Sequence, residues 1–306
     1  MRVIFMGTPS IGASVLKALV DLKLNIIGVI SQPDKEMDRK KNIIYSSVKT
    51  MALENNIPIF QPEKIKDITN EIKNLNPDII ITCAYGQFIN NEILSIPKFG
   101  CINVHASLLP KLRGGAPIHW AIINQETKTG VSLMDMIQKM DAGDVYLQYE
   151  CNIENNETYD SLYQKLSNLA YKIVYENFYN LINGKLSKVP QNESNVTFGY
   201  NIKKEQTIIN FNQNVNNVDA WIRGLSFKPT AIWRYKNQNI KILEAHKTDI
   251  KSNFAPGTIS QIDKHGISIC TNDYDIIITK IQLPNKNPNT ISQIINGNHI
   301  FEVGIK

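Results

Sequence analysis

The 306-residue sequence predicts two domains, an α/β domain with a doubly wound sheet of parallel strands and a smaller β-rich domain. The length exceeds the roughly 100–200 residues of one typical domain. The first half alternates short apolar runs with helical stretches, whereas short alternating segments separated by Asn, Gly, Pro and Asp begin near residue 205. We therefore place the first domain at residues 1–185, a polar linker at 186–204 and the second domain at 205–306.

The first domain is predicted from its repeated strand–helix alternation. Nearly continuous β-branched runs are typical of parallel strands that are covered on both faces. The predicted strands are 3–6, 26–30, 79–83 and 102–104, and the helices are 11–22, 45–55 and 65–75. In such a sheet the ligand site lies beyond the carboxyl ends of the strands.

The second domain is predicted from several short strands that are separated by turn residues. This spacing favours a small β-barrel or sandwich. A strong amphipathic helix at 159–183 precedes the linker, and a helix at 215–225 packs on the barrel. The predicted strands are 231–234, 240–244, 267–270 and 275–281.

Composition excludes several classes of protein. No apolar run approaches the roughly 20 residues that cross a bilayer, and Gly7-Thr8-Pro9 breaks the N-terminal run too early for a secretory signal. We therefore expect a cytoplasmic protein without a membrane partner. We also expect a monomer. Four scattered cysteines without a CxxC pair predict neither a disulfide framework nor a metal site. The formal charge of +5 permits a polyanionic partner.

The loop after the first predicted strand does not match either nucleotide-binding motif. Ala13-Ser14 follows Gly12, where a phosphate-binding P-loop needs Lys and then Ser or Thr. Pro9 occupies the central glycine position of the dinucleotide fingerprint. Neither ATP nor NAD is therefore expected.

The segment from Cys101 to Asp144 carries the strongest chemical signal. Asn103 and His105 lie two residues apart on a predicted strand, so their side chains share one face, and Asp141 lies in a later loop. Acyl transfer to an amine needs donors for the developing oxyanion, a proton acceptor and a carboxylate that orients an imidazole. We expect Asn103 and His105 to stabilise the oxyanion, and Asp141 to orient His105 and to assist proton removal through water. The sequence leaves open which group takes the proton.

Four motifs in this segment occur in the same order in a known family. They are Asn103-Val104-His105-Ala106-Ser107-Leu108-Leu109-Pro110, Arg113-Gly114-Gly115-Ala116-Pro117-Ile118, Thr129-Gly130-Val131 and Asp141-x-Gly143. In these motifs the chain closely resembles the folate-dependent formyltransferases. The resemblance implies that Asn103, His105 and Asp141 are catalytic. It also implies that Ser107, Leu108, Leu109 and Pro110 contact the folate.

The resemblance continues over almost the full length, through Ser31-Gln32-Pro33-Asp34, Ala84-Tyr85-Gly86 and Ala255-Pro256-Gly257-Thr258. It implies a Rossmann-like catalytic domain, a C-terminal OB-like β-barrel, and a folate pocket that includes Tyr85 and Gly86. The co-substrate it implies is 10-formyltetrahydrofolate. The implied acceptor is the α-amine of methionine carried by the initiator tRNA, which is the formylation step of translation initiation.

Two groups of basic residues are candidates for the tRNA acceptor stem. Arg39, Lys40 and Lys41 lie in a long insertion that matches a family loop at the rim of the active site. Lys203, Lys204, Lys228 and Arg234 belong to the linker and the second domain, where OB-like barrels carry basic stripes. Contacts of this kind position a nucleic acid without reading its sequence.

Two alternatives remain open. An N-formyltransferase acting on an amino sugar-nucleotide would use the same three residues, but it would not need the basic insertion or the basic second domain. A non-catalytic folate- or RNA-binding module would have lost the three residues, and all of them are present.

Overall fold

The computed structural model describes residues 1–37, 43–226 and 228–306, which divide into two compact units. The first unit comprises Met1–Pro117, Lys128–Asn152 and Tyr163–Tyr200. The second comprises Ile118–Thr127, Ile153–Leu162 and Asn201–Lys306. The predicted fold class is confirmed, because the first unit is an α/β structure and the second is built on antiparallel strands.

Up to residue 182, the described part of the chain contains nine strands and six α-helices. The strands are β1 (Arg2–Gly7), β2 (Asn25–Ile30), β3 (Glu36–Met37), β4 (Ile43–Ile44), β5 (Ile59–Phe60), β6 (Ile79–Cys83), β7 (Cys101–His105), β8 (Lys128–Asp135) and β9 (Val145–Asn152). The helices are α1 (Ser10–Asp21), α2 (Ser47–Glu54), α3 (Thr69–Leu75), α4 (Asn91–Leu94), α5 (Pro117–Ile123) and α6 (Tyr159–Ile182).

The first unit's sheet has seven strands in the order β5-β2-β1-β6-β7-β8-β9. The five strands from β5 to β7 are parallel, and four of them, all except β5, are the predicted parallel strands. Strands β8 and β9 extend the sheet in antiparallel fashion. The residues Val3, Ile4 and Phe5 of β1 are fully buried, which agrees with a strand covered on both faces. Strands β8 and β9 are absent from the sequence prediction.

The chain order places the carboxyl ends of three strands side by side. From β1 the chain moves to β2 on one side and later to β6 on the other, so the direction of winding reverses between β1 and β6. Ligands of open α/β sheets bind at such a reversal. Gly7 of β1 is in register with Cys83 of β6, and Thr82 is in register with Asn103 of β7. The predicted catalytic strand therefore ends beside this position.

Helix α1 shows why these helices form where they do. Ile11, Val15 and Leu19 recur at spacings of four and are buried, so one face of the helix packs on the sheet. On the outer face Lys17 pairs with Asp21 four residues later at 2.5 Å. Helices α2 and α6 also match their predictions within a few residues.

The predicted helix at 65–75 differs in its first turn. Ile65–Ile68 is a 3₁₀ helix, and the α-helix begins at Thr69. The Thr69 hydroxyl donates to the carbonyl oxygen of Lys66 at 2.8 Å, a local bond that competes with regular helix geometry. In the part of the chain that the structure describes, no helix is both long and apolar enough to cross a membrane.

The described residues from 201 onward form two further α-helices and six strands. They are α7 (Val215–Gly224), β10 (Ala231–Tyr235), β11 (Gln238–Lys251), β12 (Ile259–Asp263), β13 (Gly266–Ile269), β14 (Tyr274–Gln282), β15 (Asn289–Thr290) and α8 (Ile291–Ile295). The sheet order is β10-β11-β14-β13-β12, and β15 also pairs with β14. Among the described residues no pairing joins β10 to β12, so the predicted barrel is an open sheet.

One face of this sheet forms the hydrophobic core of the second unit. Trp233 stacks on Phe301 with ring centroids 5.5 Å apart, and isoleucines from β11, β13 and β14 surround them. The buried face of α7, which includes Val218 and Ile222, belongs to the same core. Alternation along β10 leaves Arg234 exposed on the opposite face.

Candidate active site

Strand β7 positions Asn103 and His105 on the same face of the sheet. Asn103 pairs with Thr82 of the parallel strand β6, and His105 pairs with Ser132 of the antiparallel strand β8. Because the strand is held on both sides, its last residues are fixed at the carboxyl edge of the sheet. Here the structure brings the three residues predicted to be catalytic together.

The orientation of the Asn103 amide is set by Thr82. The Thr82 hydroxyl donates to Asn103 Oδ1 at 2.8 Å. The Nδ2 group consequently points the other way and lies 3.4 Å from Asp141 Oδ1. An amide nitrogen carries two hydrogens, so Nδ2 can face Asp141 and still donate to a ligand oxygen.

The His105 ring is nearly buried and has a different neighbour at each nitrogen. Nε2 lies 3.0 Å from the carbonyl oxygen of Leu112. Because a carbonyl oxygen only accepts, Nε2 carries the hydrogen of this bond. Nδ1 lies 3.7 Å from Asp141 Oδ1. In the neutral ring Nδ1 is therefore the atom that can accept a proton.

Asp141 occupies a strained position in the loop between β8 and β9. Its φ of 49° lies in the left-handed region, which residues with a Cβ atom seldom adopt. Oδ1 faces Asn103 and His105, and Oδ2 accepts from the backbone N–H of Gly114 at 2.8 Å. The carboxylate thus connects the strand that carries Asn103 and His105 to the glycine loop at residues 113–115.

The predicted folate segment is tied to the neighbouring antiparallel strands. Ser132 donates to the carbonyl oxygen of Ser107 at 2.6 Å and accepts from the N–H of Leu109 at 3.1 Å. Gln148 donates to the carbonyl oxygen of Leu109 at 2.9 Å. Ser107 and Leu109 are buried, whereas Leu108 and Pro110 are half-buried. The segment's backbone is therefore fixed beside His105.

The second predicted folate segment combines a buried aromatic ring with an exposed glycine. The Tyr85 ring is buried in the hydrophobic cluster of the first unit with Ile89 and Ile93, and burial raises the pKa of its hydroxyl to about 12. Within the described chain this hydroxyl has no hydrogen-bond partner. Gly86, with a φ of 86°, is exposed at the surface.

The basic residues predicted to bind tRNA fall in three places. Arg39, Lys40 and Lys41 lie outside the described residues. Lys203 and Lys204 are exposed at the start of the second unit, and Lys228 is exposed before β10. Arg234 lies on the exposed face of the second sheet. Lys241, which is not among the predicted residues, lies on the same face, because its partner in register is Ile232 of β10.

Several residues that support the site are absent from the sequence prediction. They are Thr82, Ser132, Gln148 and Gln191, and each makes a side-chain hydrogen bond to the site or its loops. Thr82 is the one hydroxyl residue in the apolar run of β6, and this pattern could have indicated a polar contact there. Gln191 lies in a polar segment without periodicity, so its contacts could be found only in the structure.

Solved structures confirm the fold. A sugar 3N-formyl transferase, WlaRD, solved with dTDP and 5-N-formyl-THF, aligns with a TM-score of 0.69 at 21% identity. The alignment covers 94% of this chain and 99% of that one. HypX from Aquifex aeolicus, solved with tetrahydrofolic acid, aligns with a TM-score of 0.66 at 17% identity, over 96% of this chain and 47% of HypX.

Sequence comparisons give closer relatives. The methionyl-tRNA formyltransferase of Malacoplasma penetrans is 49% identical over 99% of this chain and 96% of its own length. That of Ureaplasma parvum is 48% identical over 98% of both chains, and that of Bacillus mycoides is 43% identical over 100% and 98%. The family model "Formyl transferase" matches residues 1–177, and "Formyl transferase, C-terminal domain" matches residues 201–299. The chain therefore belongs to the formyl transferase family.

Proposed function

We propose that this chain transfers the formyl group of 10-formyltetrahydrofolate to the α-amine of methionine carried by the initiator tRNA, for translation initiation. The observation that carries the proposal is the 49% identity to a methionyl-tRNA formyltransferase over 99% of the chain. The convergence of Asn103, His105 and Asp141 supplies the chemistry.

Asn103 stabilises the oxyanion. When the amine attacks the formyl carbon, the carbonyl electrons move to oxygen, and a donor aimed at that oxygen lowers the barrier. Because Thr82 holds Oδ1, the amide keeps its Nδ2 group on the side of Asp141 and His105. One hydrogen of Nδ2 faces Asp141, and the other serves the formyl oxygen.

His105 moves the proton. The attacking amine must lose one proton, and the folate nitrogen that leaves must gain one. With Nε2 bonded to Leu112, Nδ1 accepts the proton of the amine and returns a proton to the leaving nitrogen. Asp141 Oδ1, 3.7 Å from Nδ1, stabilises the ring while it is charged. This route refines the sequence expectation, in which His105 is an oxyanion donor.

The remaining assignments follow the sequence. Ser107–Pro110 and the backbone at Tyr85 and Gly86 bind the folate. Residues 1–185 form the catalytic domain, 186–204 the linker and 205–306 the tRNA-binding domain. The basic residues contact phosphates of the acceptor stem; they are Arg39, Lys40, Lys41, Lys203, Lys204, Lys228 and Arg234. The enzyme works as a monomer in the cytoplasm.

The test is a formyl-transfer assay with 10-formyltetrahydrofolate and two acceptors, methionine-charged initiator tRNA and a dTDP-linked amino sugar, at two salt concentrations. We expect transfer to the charged tRNA only. The rate at subsaturating tRNA should fall at high salt, because phosphate contacts release counterions. Transfer to the amino sugar instead would assign the chain to the sugar-nucleotide branch of the family. Folate binding without transfer to either acceptor would contradict an enzymatic role.

A further inference from the structure

The segment at residues 189–199 packs against the start of β9, directly after the Asp141 loop, and against the glycine loop at residues 113–115. Val189 pairs with Val145 at the start of β9 through two backbone hydrogen bonds of 2.9 Å. At the other end, the N–H of Arg113 donates to the carbonyl oxygen of Thr197 at 2.9 Å, and the N–H of Gly199 donates to that of Arg113 at 2.8 Å. We call residues 189–199 the docked segment.

Gln191 is the residue of the docked segment that reaches the catalytic carboxylate's loop. Its Nε2 group donates to the carbonyl oxygen of Asp141 at 2.9 Å and to that of Gly143 at 2.8 Å. Its Oε1 accepts from Nε and Nη2 of Arg113 at 3.0 and 2.9 Å. Every polar atom of this side chain is thus used to join the Asp141 loop to the glycine loop.

These contacts bear on the placement of the carboxylate. Asp141 has left-handed backbone, an unfavourable conformation that must be held by its surroundings. The backbone N–H of Gly114 fixes Oδ2, and Gly114 directly follows the arginine that Gln191 binds. Gln191 therefore holds Asp141 in two ways. It binds the backbone carbonyl of Asp141 directly, and it binds Arg113, which precedes the Gly114 N–H that holds the carboxylate.

Arg113 reinforces this arrangement from inside the protein. Its guanidinium group is buried, and Nη2 also donates to Glu193 Oε1 at 2.8 Å. Glu193 belongs to the docked segment but does not contact Asp141 or Gly143 through any hydrogen bond found among the described residues. Gln191 and Glu193 therefore both bind Arg113, but only Gln191 also binds the loop that carries Asp141.

We propose that Gln191 is a positioning residue for formyl transfer, which sets the place of the Asp141 carboxylate relative to His105 and Asn103. The inference rests on the proposed function. It predicts that removing the donors of Gln191 slows the chemical step and leaves substrate binding unchanged. Displacing a catalytic group by about 1 Å costs up to roughly 10²-fold in rate.

The test uses single-turnover formylation by the full chain, with the rate and the amplitude measured separately. Gln191→Glu keeps the size and the acceptor for Arg113 but loses both donors. Gln191→Met removes the polar atoms without adding charge. We expect each variant to lower the single-turnover rate about 10- to 100-fold at full amplitude. Steady-state assays of the same variants should give an unchanged KM for folate and for tRNA. Asn195→Ala, an exposed position of the same segment, is the matched control and should match the wild type.

A second arm tests whether Gln191 acts through Asp141. In an Asp141→Asn background the effect of Gln191→Glu should largely disappear, because the group being positioned is gone. A lower amplitude with an unchanged rate would show that Gln191 only supports folding and would overturn the proposal. An undiminished effect in the Asp141→Asn background would overturn it as well. Failure of the wild type to formylate the tRNA would instead contradict the proposed function itself.

Discussion

At the scale of single residues, the Thr82 hydroxyl holds the oxygen end of the Asn103 amide, and Asp141 lies at its nitrogen end. Thr82 donates to Oδ1, and the two residues are in register on neighbouring strands, so their side chains share one face. Without this bond the amide could turn by half a rotation and present an acceptor to the formyl oxygen. In the proposed mechanism the role of Asn103 as an oxyanion donor therefore depends on Thr82, which itself does not contact the substrate.

This dependence gives a residue-scale prediction. Thr82→Val keeps the shape of the side chain and removes the donor, so we expect a lower kcat with an unchanged KM for folate. The loss should be smaller than that of Asn103→Ala, since the amide still spends part of its time in the productive orientation. Steady-state kinetics of the two variants measures the difference. Wild-type kcat in Thr82→Val would show that the hydroxyl is dispensable.

Glu193 carries a second residue-scale prediction, for stability against pH. Hydrogen bonds from Arg113 and then from Lys139 lower the pKa of the Glu193 carboxyl from 4.5 to about 2. A depressed carboxyl pKa stabilises the fold above the ordinary pKa, and this stabilisation is lost as the pH falls toward the lowered value. The wild type should melt at a higher temperature than Glu193→Gln at pH 7. The difference should shrink below about pH 4.5; a constant difference would contradict it.

At the scale of elements, helices α5 and α7 of the second unit are joined through His119. Its Nδ1 donates to the carbonyl oxygen of Gly224 at 2.7 Å, and its ring stacks on Tyr159 at 4.0 Å. Gly224 has no room for a side chain here, because an added Cβ atom would lie 2.7 Å from Ile123. A buried imidazole thus fixes the end of α7 against α5.

The burial of His119 predicts a pH effect on this element. Desolvation lowers its pKa below the ordinary 6.5, although the bond to Gly224 partly opposes this. Below about pH 6.5 the unfolded chain therefore binds a proton at this histidine more readily than the folded chain does. The free energy of unfolding consequently decreases as the pH is lowered. His119→Asn keeps a donor for Gly224 and removes the titration. The melting temperature of the wild type should drop more than that of the variant between pH 7 and 5; parallel curves would contradict the assignment.

Elements with a clear period are also the ones that could be predicted from sequence. Strands β1, β6 and β7 and helix α6 have continuous apolar runs or helical spacing. Strand β8 shows no alternation of apolar and polar residues, because residues 129–134 are all buried. Gly130 and Ser132 also interrupt its apolar run, so the sequence does not predict it. In β9 the apolar Leu147, Tyr149 and Cys151 do alternate with polar residues, so that strand could have been found.

The candidate site likewise contains residues that the sequence predicts and contacts that it does not. Asn103, His105 and Asp141 could be predicted because the motifs place them in a recognisable order. The contacts of Gln191 could not, because they join residues about 50 positions apart in loops whose conformation depends on the folded sheet. The open edge of the second sheet likewise depends on pairing between distant strands, which local patterns do not specify.

At the scale of the whole molecule, the net charge of +5 is consistent with a polyanionic substrate. Arg234 and Lys241 lie on the exposed face of the second sheet. Alanine at both positions should raise the KM for charged tRNA and reduce the slope of log KM against log salt by roughly one per lost phosphate contact. Lys236→Ala is a matched control, since its amine pairs with Glu302. An unchanged slope of log KM against log salt in the double variant would show that this face does not contact the tRNA.

The central claim is that Asn103, with His105 and Asp141, carries out formyl transfer to methionine on tRNA. The most direct test is single-turnover formylation of methionine-charged initiator tRNA by Asn103→Ala, with folate and tRNA both saturating. Loss of one oxyanion donor predicts a rate about 10²–10³-fold lower than wild type, with folate affinity preserved. A rate near that of the wild type would contradict the account, because the oxyanion would then be stabilised elsewhere.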